Sequence, residues 1–95
     1  MNVIGHQKAF WFLLQDGEDY YLDVNSGNSY VGYSIAFQLN EVEVGSYLSR
    51  KEAYITELAT NVNHTQKRYQ DREVTKEVTE KMHSVIMSYK EGNSI

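Results

Sequence analysis

Cysteine and proline are absent from the 95 residues of this chain. Without cysteine the chain forms no disulfide bond and no thiolate metal site, and the sequence carries no information on its redox compartment. Without proline, every turn must be made by glycine, asparagine, aspartate or serine. One such turn signal, Asp16-Gly17, lies between two aromatic-rich runs, and this arrangement is typical of a β-hairpin.

Long apolar segments are also missing. No run reaches the ~18 apolar residues of a membrane span, and residues 1–10 lack the basic start of a signal peptide. We therefore expect a soluble, cytoplasmic protein without membrane contacts. The hydrophobic fraction of 41% is that of a globular protein rather than a disordered one. The length fits one domain, residues 1–95, in which residues 1–7 and 93–95 are expected to be frayed.

Basic residues are scarce in the first half of the chain. Lys8 is the single base among residues 1–45, which hold six acids, and the whole chain has a net charge of −4. A nucleic-acid-binding protein normally carries a basic stripe that neutralises phosphates, so this distribution argues against a nucleic-acid partner. Four acids lie in or near the hairpin, and we interpret them as an acidic handle that would speed association with a basic partner: Asp16, Glu18, Asp19 and Asp23.

Three apolar runs with features of β-strands occupy the first half: Lys8–Gln15, Tyr20–Asn25 and Tyr30–Leu39. The parity of short loops places the apolar residues of all three on one face, with Val24 opposite Val31. Leu22 is expected opposite Tyr33 in the same register. Connections this short cannot form parallel crossovers. The sequence therefore predicts a three-stranded antiparallel meander with Lys8–Gln15 at its edge.

After Leu39 the apolar spacing changes from two residues to about 3.6, which indicates helices. Asn40–Glu43 and Ser49–Glu52 both fit the capping-box pattern of a helix start. We predict a helix over about 50–63, either continuous with residues 41–48 or preceded by a separate helix there. A loop over 63–72, either irregular or containing a short edge strand around Tyr69, leads to a second helix over about 73–91.

The predicted fold class is α+β: a three-stranded antiparallel β-meander followed by two α-helices, or three, packed on one sheet face. The first strand then carries apolar side chains on a second face that these helices leave open. Natural sheet edges are usually protected by charge, and large apolar patches often mark interfaces. Two explanations remain: part of the same chain covers this face, or another molecule does. On the second explanation the interaction surface consists of Phe10, Phe12, Leu14 and Tyr21.

No catalytic, cofactor-binding or metal-binding residues are predicted. The three histidines lie in separate segments, whereas a zinc site needs three or four ligands held together. Residues 23–28 resemble a calcium loop but have glycine and glutamate at the wrong positions. Gly32–Ala36 nearly matches a nucleophile elbow around Ser34, yet the segment lies inside an alternating strand. We therefore expect a protein that is not an enzyme and has no cofactor.

The sequence favours a small non-enzymatic protein that acts through protein–protein contacts. It would form a homodimer through the first strand, or bind a basic partner as an acidic inhibitor or immunity-type protein. The alternative is a small-ligand-binding protein or small enzyme with an aromatic pocket between sheet and helices. Trp11 and Tyr33 would then form the walls, and His83 or Glu80 the polar group. A small-molecule partner is thus not excluded.

Overall fold

The computed structural model describes residues 1–25 and 34–93. Within those ranges no helix is long and apolar enough to cross a bilayer. The described residues form an antiparallel sheet with helices on both of its faces, so the α+β class is confirmed. The elements in chain order are β1 (Asn2–Gln7), β2 (Trp11–Asp16), β3 (Asp19–Asn25), β4 (Ser34–Gln38), α1 (Glu41–Arg50), α2 (Glu52–His64), α3 (Gln66–Gln70) and α4 (Lys76–Asn93).

The sheet has four strands in the order β1-β2-β3-β4, so the prediction of three strands is wrong. Residues 1–7 are not frayed, because β1 pairs antiparallel with β2 along its length. A register shift between Val3 and Gly5 interrupts the alternation of side chains in β1, and for this reason the sequence does not reveal the strand. Val3 packs with Leu14 on one face of the sheet, whereas Ile4 packs with the core around Leu13 on the other face. The strand predicted at the edge, β2, is consequently an inner strand.

The first predicted strand also begins too early. Residues 8–10 form the turn between β1 and β2, and β2 starts at Trp11. Ala9 adopts a φ of 61°, and the Phe10 amide donates a hydrogen bond to the Gln7 carbonyl at 2.9 Å. This turn brings β1 back along β2. β1 therefore pairs with the side of β2 that was predicted to be an unpaired sheet edge.

The hairpin around Asp16-Gly17 is confirmed, with Leu13 opposite Leu22 across β2 and β3. Gly17 has a φ of 63°, a conformation that glycine adopts without steric cost. The register predicted for the next pair is wrong, because Leu22 lies opposite Phe37. Loop parity fixes which face a residue occupies, and a shift of four residues leaves that face unchanged. The predicted start of this strand at residues 30–33 lies outside the described residues.

The first face of the sheet, defined by Trp11, Leu13, Leu22, Val24 and Phe37, packs against α1, α2 and α3. These strand residues are 0–1% exposed and form one core with buried residues of the helices. The helical members of this core recur at three- and four-residue spacings along α2, as the amphipathic pattern requires: Ile55, Leu58, Ala59 and Val62.

The helices of residues 41–64 are two, not one, since Lys51 with a φ of 59° separates α1 from α2. The capping box at Asn40 and Glu43 is confirmed, with both hydrogen bonds at 2.9 Å. The second predicted capping box is wrong, because α2 begins without a side-chain cap. The edge strand around Tyr69 is wrong too. Tyr69 lies in α3 and packs on Phe37.

The second face of the sheet, which carries Phe12, Leu14, Tyr21, Asp23 and Ala36, is covered by α4. Leu14 and Ala36 form a second core with Met82 and Ile86 of this helix. The prediction that all helices pack on one face is therefore wrong. α4 spans Lys76–Asn93 rather than 73–91, so Asn93 belongs to the helix and not to a frayed tail. Residues 94–95 lie outside the described ranges.

Candidate ligand-binding cleft

The four residues of the predicted interaction surface lie in different environments. Leu14 is 0% exposed in the second core, and Tyr21 is half-buried against that core. Phe10 is half-buried and packs against the first core. The premise that the helices leave the second face open is wrong, because α4 covers it. The reason for predicting that these four residues form a docking surface for another molecule therefore no longer holds.

Phe12 is covered from two sides by its own chain. The His6 ring of β1 stacks on it with a centroid distance of 5.5 Å, and Tyr89 of α4 meets it edge-on at 6.3 Å. The Tyr89 hydroxyl is 3.2 Å from His6 Nδ1. Lys90 Nζ lies over the Phe12 ring, 5.4 Å from its centroid. One part of Phe12 nevertheless stays accessible, because the residue lines a cleft beside α4.

The predicted acidic handle is divided between two places. Asp16 at the hairpin tip contacts Lys81 Nζ at 3.3 Å and the amino terminus at 3.8 Å, so its charge is used within the chain. Asp19 accepts a hydrogen bond from the Gln38 amide at 3.2 Å, and Glu18 is exposed. Asp23 is not part of any exposed handle, because only 8% of it is exposed.

The cleft into which Asp23 projects runs between the second face of the sheet and the C-terminal half of α4. It has a volume of about 560 Å³, within the roughly 300–1,000 Å³ of typical small-molecule sites. Its walls are largely apolar. Phe10 and Phe12 contribute from the sheet side, and Ile86 and Met87 from α4.

The floor of the cleft is polar and built around the Asp23 carboxylate. His83 Nε2 lies 3.3 Å from Asp23 Oδ2, and the Ser34 hydroxyl donates a hydrogen bond to the same carboxylate. Burial raises the pKa of the Asp23 carboxyl above its ordinary value, against the opposing effects of His83, of Ser34 and of the more distant Lys90 charge. Asp23 is therefore a buried, partnered acid, whereas the His83 side chain is 49% exposed.

Strand register and helix periodicity place these groups together. Asp23 alternates with the first-face residues of β3 and lies directly opposite Phe12, so its side chain points to the second face. On α4, Met82 and Ile86 face the sheet, four residues apart. His83 and Met87 follow each of them by one position and so lie at the side of the helix, along the cleft.

One end of the cleft is formed by the turn between β1 and β2. The Asn25 amide donates to the Phe10 carbonyl at 2.8 Å, and the Asn25 side chain donates to the Ala9 carbonyl at 3.3 Å. These bonds hold the turn against the end of β3. Lys8 of this turn and Lys90 of α4 both line the cleft.

Of the residues expected to form an aromatic ligand pocket, one lies in this cleft. His83 does line a pocket between the sheet and a helix, but Glu80 is exposed and does not. Trp11 is 1% exposed in the first core, where its indole N–H donates to the Thr56 hydroxyl at 3.3 Å. It is therefore a core residue and not a cleft wall. Tyr33 lies outside the described residues.

Asp23 is the cleft residue that sequence reasoning misplaced. Its signal was its position between the buried Leu22 and Val24, which puts it on the second face with Tyr21. An acid on a covered face must find partners. The sequence did not reveal that this face is covered, because the cover comes from α4, more than fifty residues later.

No group of three or more histidine, aspartate or glutamate side chains within residues 1–25 and 34–93 is arranged to hold a metal ion. The polar floor of the cleft contributes one carboxylate and one imidazole. Comparison of the whole chain with protein-family models, with curated proteins and with solved structures finds no match.

Proposed function

We propose that this chain is a non-enzymatic binding protein that holds a small organic ligand in the cleft between the sheet and α4. The observation that carries the proposal is the composition of the cleft: apolar walls around a buried, hydrogen-bonded acid. Ligand sites commonly combine apolar walls with a few fixed polar groups that orient the ligand. Asp23 and His83 are such a pair, and at about 560 Å³ the cleft is large enough for a ligand.

The hydrogen bonding in the floor favours binding over catalysis. In a hydrolytic triad the nucleophile bonds to the histidine, and the acid orients that histidine from its other side. Here Ser34 and His83 both bond to Asp23. Ser34 therefore has the acid rather than the base as its partner, which supports a fixed polar floor.

The proposal is tested with the neutral fluorescent probe N-phenyl-1-naphthylamine, which brightens in apolar sites. We expect saturable binding that is weakened roughly tenfold or more by Met87→Glu, because a desolvated carboxylate would face the probe. Met87 is 59% exposed, so this change leaves the core intact. Val42→Glu is the matched control, since Val42 is an exposed apolar helix residue, 76% exposed, that does not line the cleft.

Nuclear magnetic resonance shift mapping gives the second measurement. The shifts caused by the probe should centre on Phe12, His83 and Ile86. Absence of binding, or equal loss of binding in the Met87→Glu and Val42→Glu variants, would contradict the proposal.

A function through protein–protein contact remains a prediction from the sequence. The open second face on which it was based is covered by α4. Homodimerisation is checked by sedimentation of the parent chain over a hundredfold concentration range. A mass that stays at one chain throughout would remove the homodimer. The acidic-inhibitor version depends on the hairpin tip, where Glu18 and Asp19 are the exposed acids.

A further inference from the structure

The charged groups around the cleft differ from the charge of the whole molecule. The chain has a net charge of −4, yet among the described residues the cleft is lined by two lysines, one histidine and a single acid. Lys8 approaches from the turn between β1 and β2, and Lys90 from α4. The excess of basic groups in the cleft is therefore a local feature that the net charge of the chain does not predict.

The single acid is already satisfied within the protein. Asp23 accepts from His83 and Ser34, and it is 8% exposed. A cationic ligand would have to compete with these internal partners for a carboxylate at the bottom of the cleft. The lysines are different, because both are exposed and their ammonium groups are available to a ligand. The Lys90 ammonium contacts the Phe12 ring face, which is itself part of the apolar wall.

We infer that the ligand is an organic anion with an apolar body, a carboxylate or sulfonate attached to a ring system or hydrocarbon chain. This inference rests on the function proposed above and adds the charge of the ligand to it. The body lies against Phe10, Phe12 and Met87. The anionic group lies at the rim with Lys8 and Lys90, where charge-assisted hydrogen bonds are available.

His83 lines the cleft from the helix side. Its Nε2 is held by Asp23 at 3.3 Å, while half of its side chain is exposed in the cleft. This arrangement fixes the orientation of the ring before the ligand arrives.

The test measures displacement of bound N-phenyl-1-naphthylamine by three ligands with the same naphthyl body. They are naphthalene-1-acetate, its neutral acetamide and the cation 1-naphthylmethylamine. We expect the anion to displace the probe at a concentration roughly tenfold lower than the amide does, with the amine weakest. The advantage of the anion should shrink as salt is raised, since rim charges are screened. A parallel series of decanoate, decanol and decylamine tells a ring body from a chain body.

Variants assign the preference to the lysines. Lys90→Gln and Lys8→Gln should each lower the advantage of the anion over the amide several-fold. Lys90→Arg should keep it. Lys76→Gln is the control, because Lys76 lies on the same helix and does not line the cleft. Thermal unfolding of each variant verifies that the fold is intact.

The outcomes separate the two proposals. If the neutral probe binds at the cleft but the three charge types displace it equally well, the anion inference is overturned and the binding function stands. Stronger displacement by the amine would overturn the inference in the same way. If the neutral probe does not bind, the proposed function fails, and the inference fails with it.

Discussion

At the scale of single residues, Arg72 connects several elements on the first-face side of the sheet. Its guanidinium donates to both Glu43 carboxylate oxygens, at 2.6 and 2.8 Å, and to the Gln38 carbonyl at 3.0 Å. It also lies over the Phe37 ring, 4.8 Å from the centroid. Such a planar, two-pronged pairing is specific to arginine. One side chain thus joins α1, β4 and the segment after α3.

Removal of this arginine should destabilise the fold strongly. Arg72→Ala leaves the Glu43 carboxylate, 8% exposed, without its main partner, and we expect the free energy of unfolding to fall by about 3 kcal/mol. Arg50→Ala is the matched control. Arg50 pairs with Glu57 at the same 2.6 Å, but both side chains are more than half exposed, so little change is expected. Urea unfolding measures both, and equal losses would contradict the argument.

Asp23 should make stability depend on pH in the direction set by its burial. Because burial raises its folded-state pKa, its contribution is present below the ordinary pKa of 3.8 and is lost as pH rises through the folded pKa. The Asp23→Asn variant has no ionisable carboxyl at this position and therefore does not lose stability in this way. The unfolding free energy of the variant, relative to the parent, should therefore increase as the pH rises above about 4.

Glu43→Gln should show the opposite trend. Burial raises the pKa of the Glu43 carboxyl, but the bonds from Arg72 and from the Asn40 backbone outweigh it and lower the pKa below its ordinary value. The contribution of Glu43 is then lost as pH falls through the folded pKa. The cost of Glu43→Gln should accordingly be larger at neutral than at acid pH. Urea titrations measure the change in unfolding free energy of both variants relative to the parent. The same pH trend for Glu43→Gln and Asp23→Asn would contradict this explanation.

At the scale of elements, the break between α1 and α2 depends on one residue in an unfavourable conformation. Lys51 has φ 59° and ψ −144°, a region that residues with a Cβ rarely occupy and that costs about 1–3 kcal/mol. Lys51→Gly should raise the free energy of unfolding by about 1 kcal/mol after the larger entropy of unfolded glycine is counted. Lys51→Ala keeps the Cβ and should change little. A melting temperature for Lys51→Gly no higher than for Lys51→Ala would contradict this.

Sequence reasoning succeeded for elements whose signal is local. The hairpin at Asp16-Gly17 and the capping box at Asn40 need only a few neighbouring residues to specify them. β1 was not predicted, because the register shift between Val3 and Gly5 interrupts its alternation. The sequence left open whether residues 41–63 form one helix or two, because no sequence pattern marks a lysine that adopts a glycine-like conformation.

At the scale of the whole molecule, one sheet is shared by two cores on opposite faces. Leu13 and Leu14 are neighbours in β2, both 0% exposed, and belong to different cores. We expect Leu13→Ala and Leu14→Ala each to lower the free energy of unfolding by about 2–5 kcal/mol. Both variants should unfold in one transition, since the cores share the sheet. A cost near zero for Leu14→Ala, or two separate transitions, would contradict a covered second face.

The candidate site follows from this whole-molecule arrangement, and for that reason the sequence indicated it only in part. The local pattern could place Asp23 on the second face and His83 on a helix. Bringing them to 3.3 Å requires α4 to lie across that face, which depends on long-range packing. The sequence pattern supplied two apolar stripes and one apolar sheet face, so a single core looked sufficient.

The order of the elements along the chain has a consequence for synthesis. In the described part of the chain, the four strands precede the helix that closes the second core. During synthesis Leu14 and Phe12 leave the ribosome before α4 does, so the second core cannot close until α4 has emerged. Until α4 has emerged, we expect these apolar side chains to be open to chaperones or to neighbouring chains.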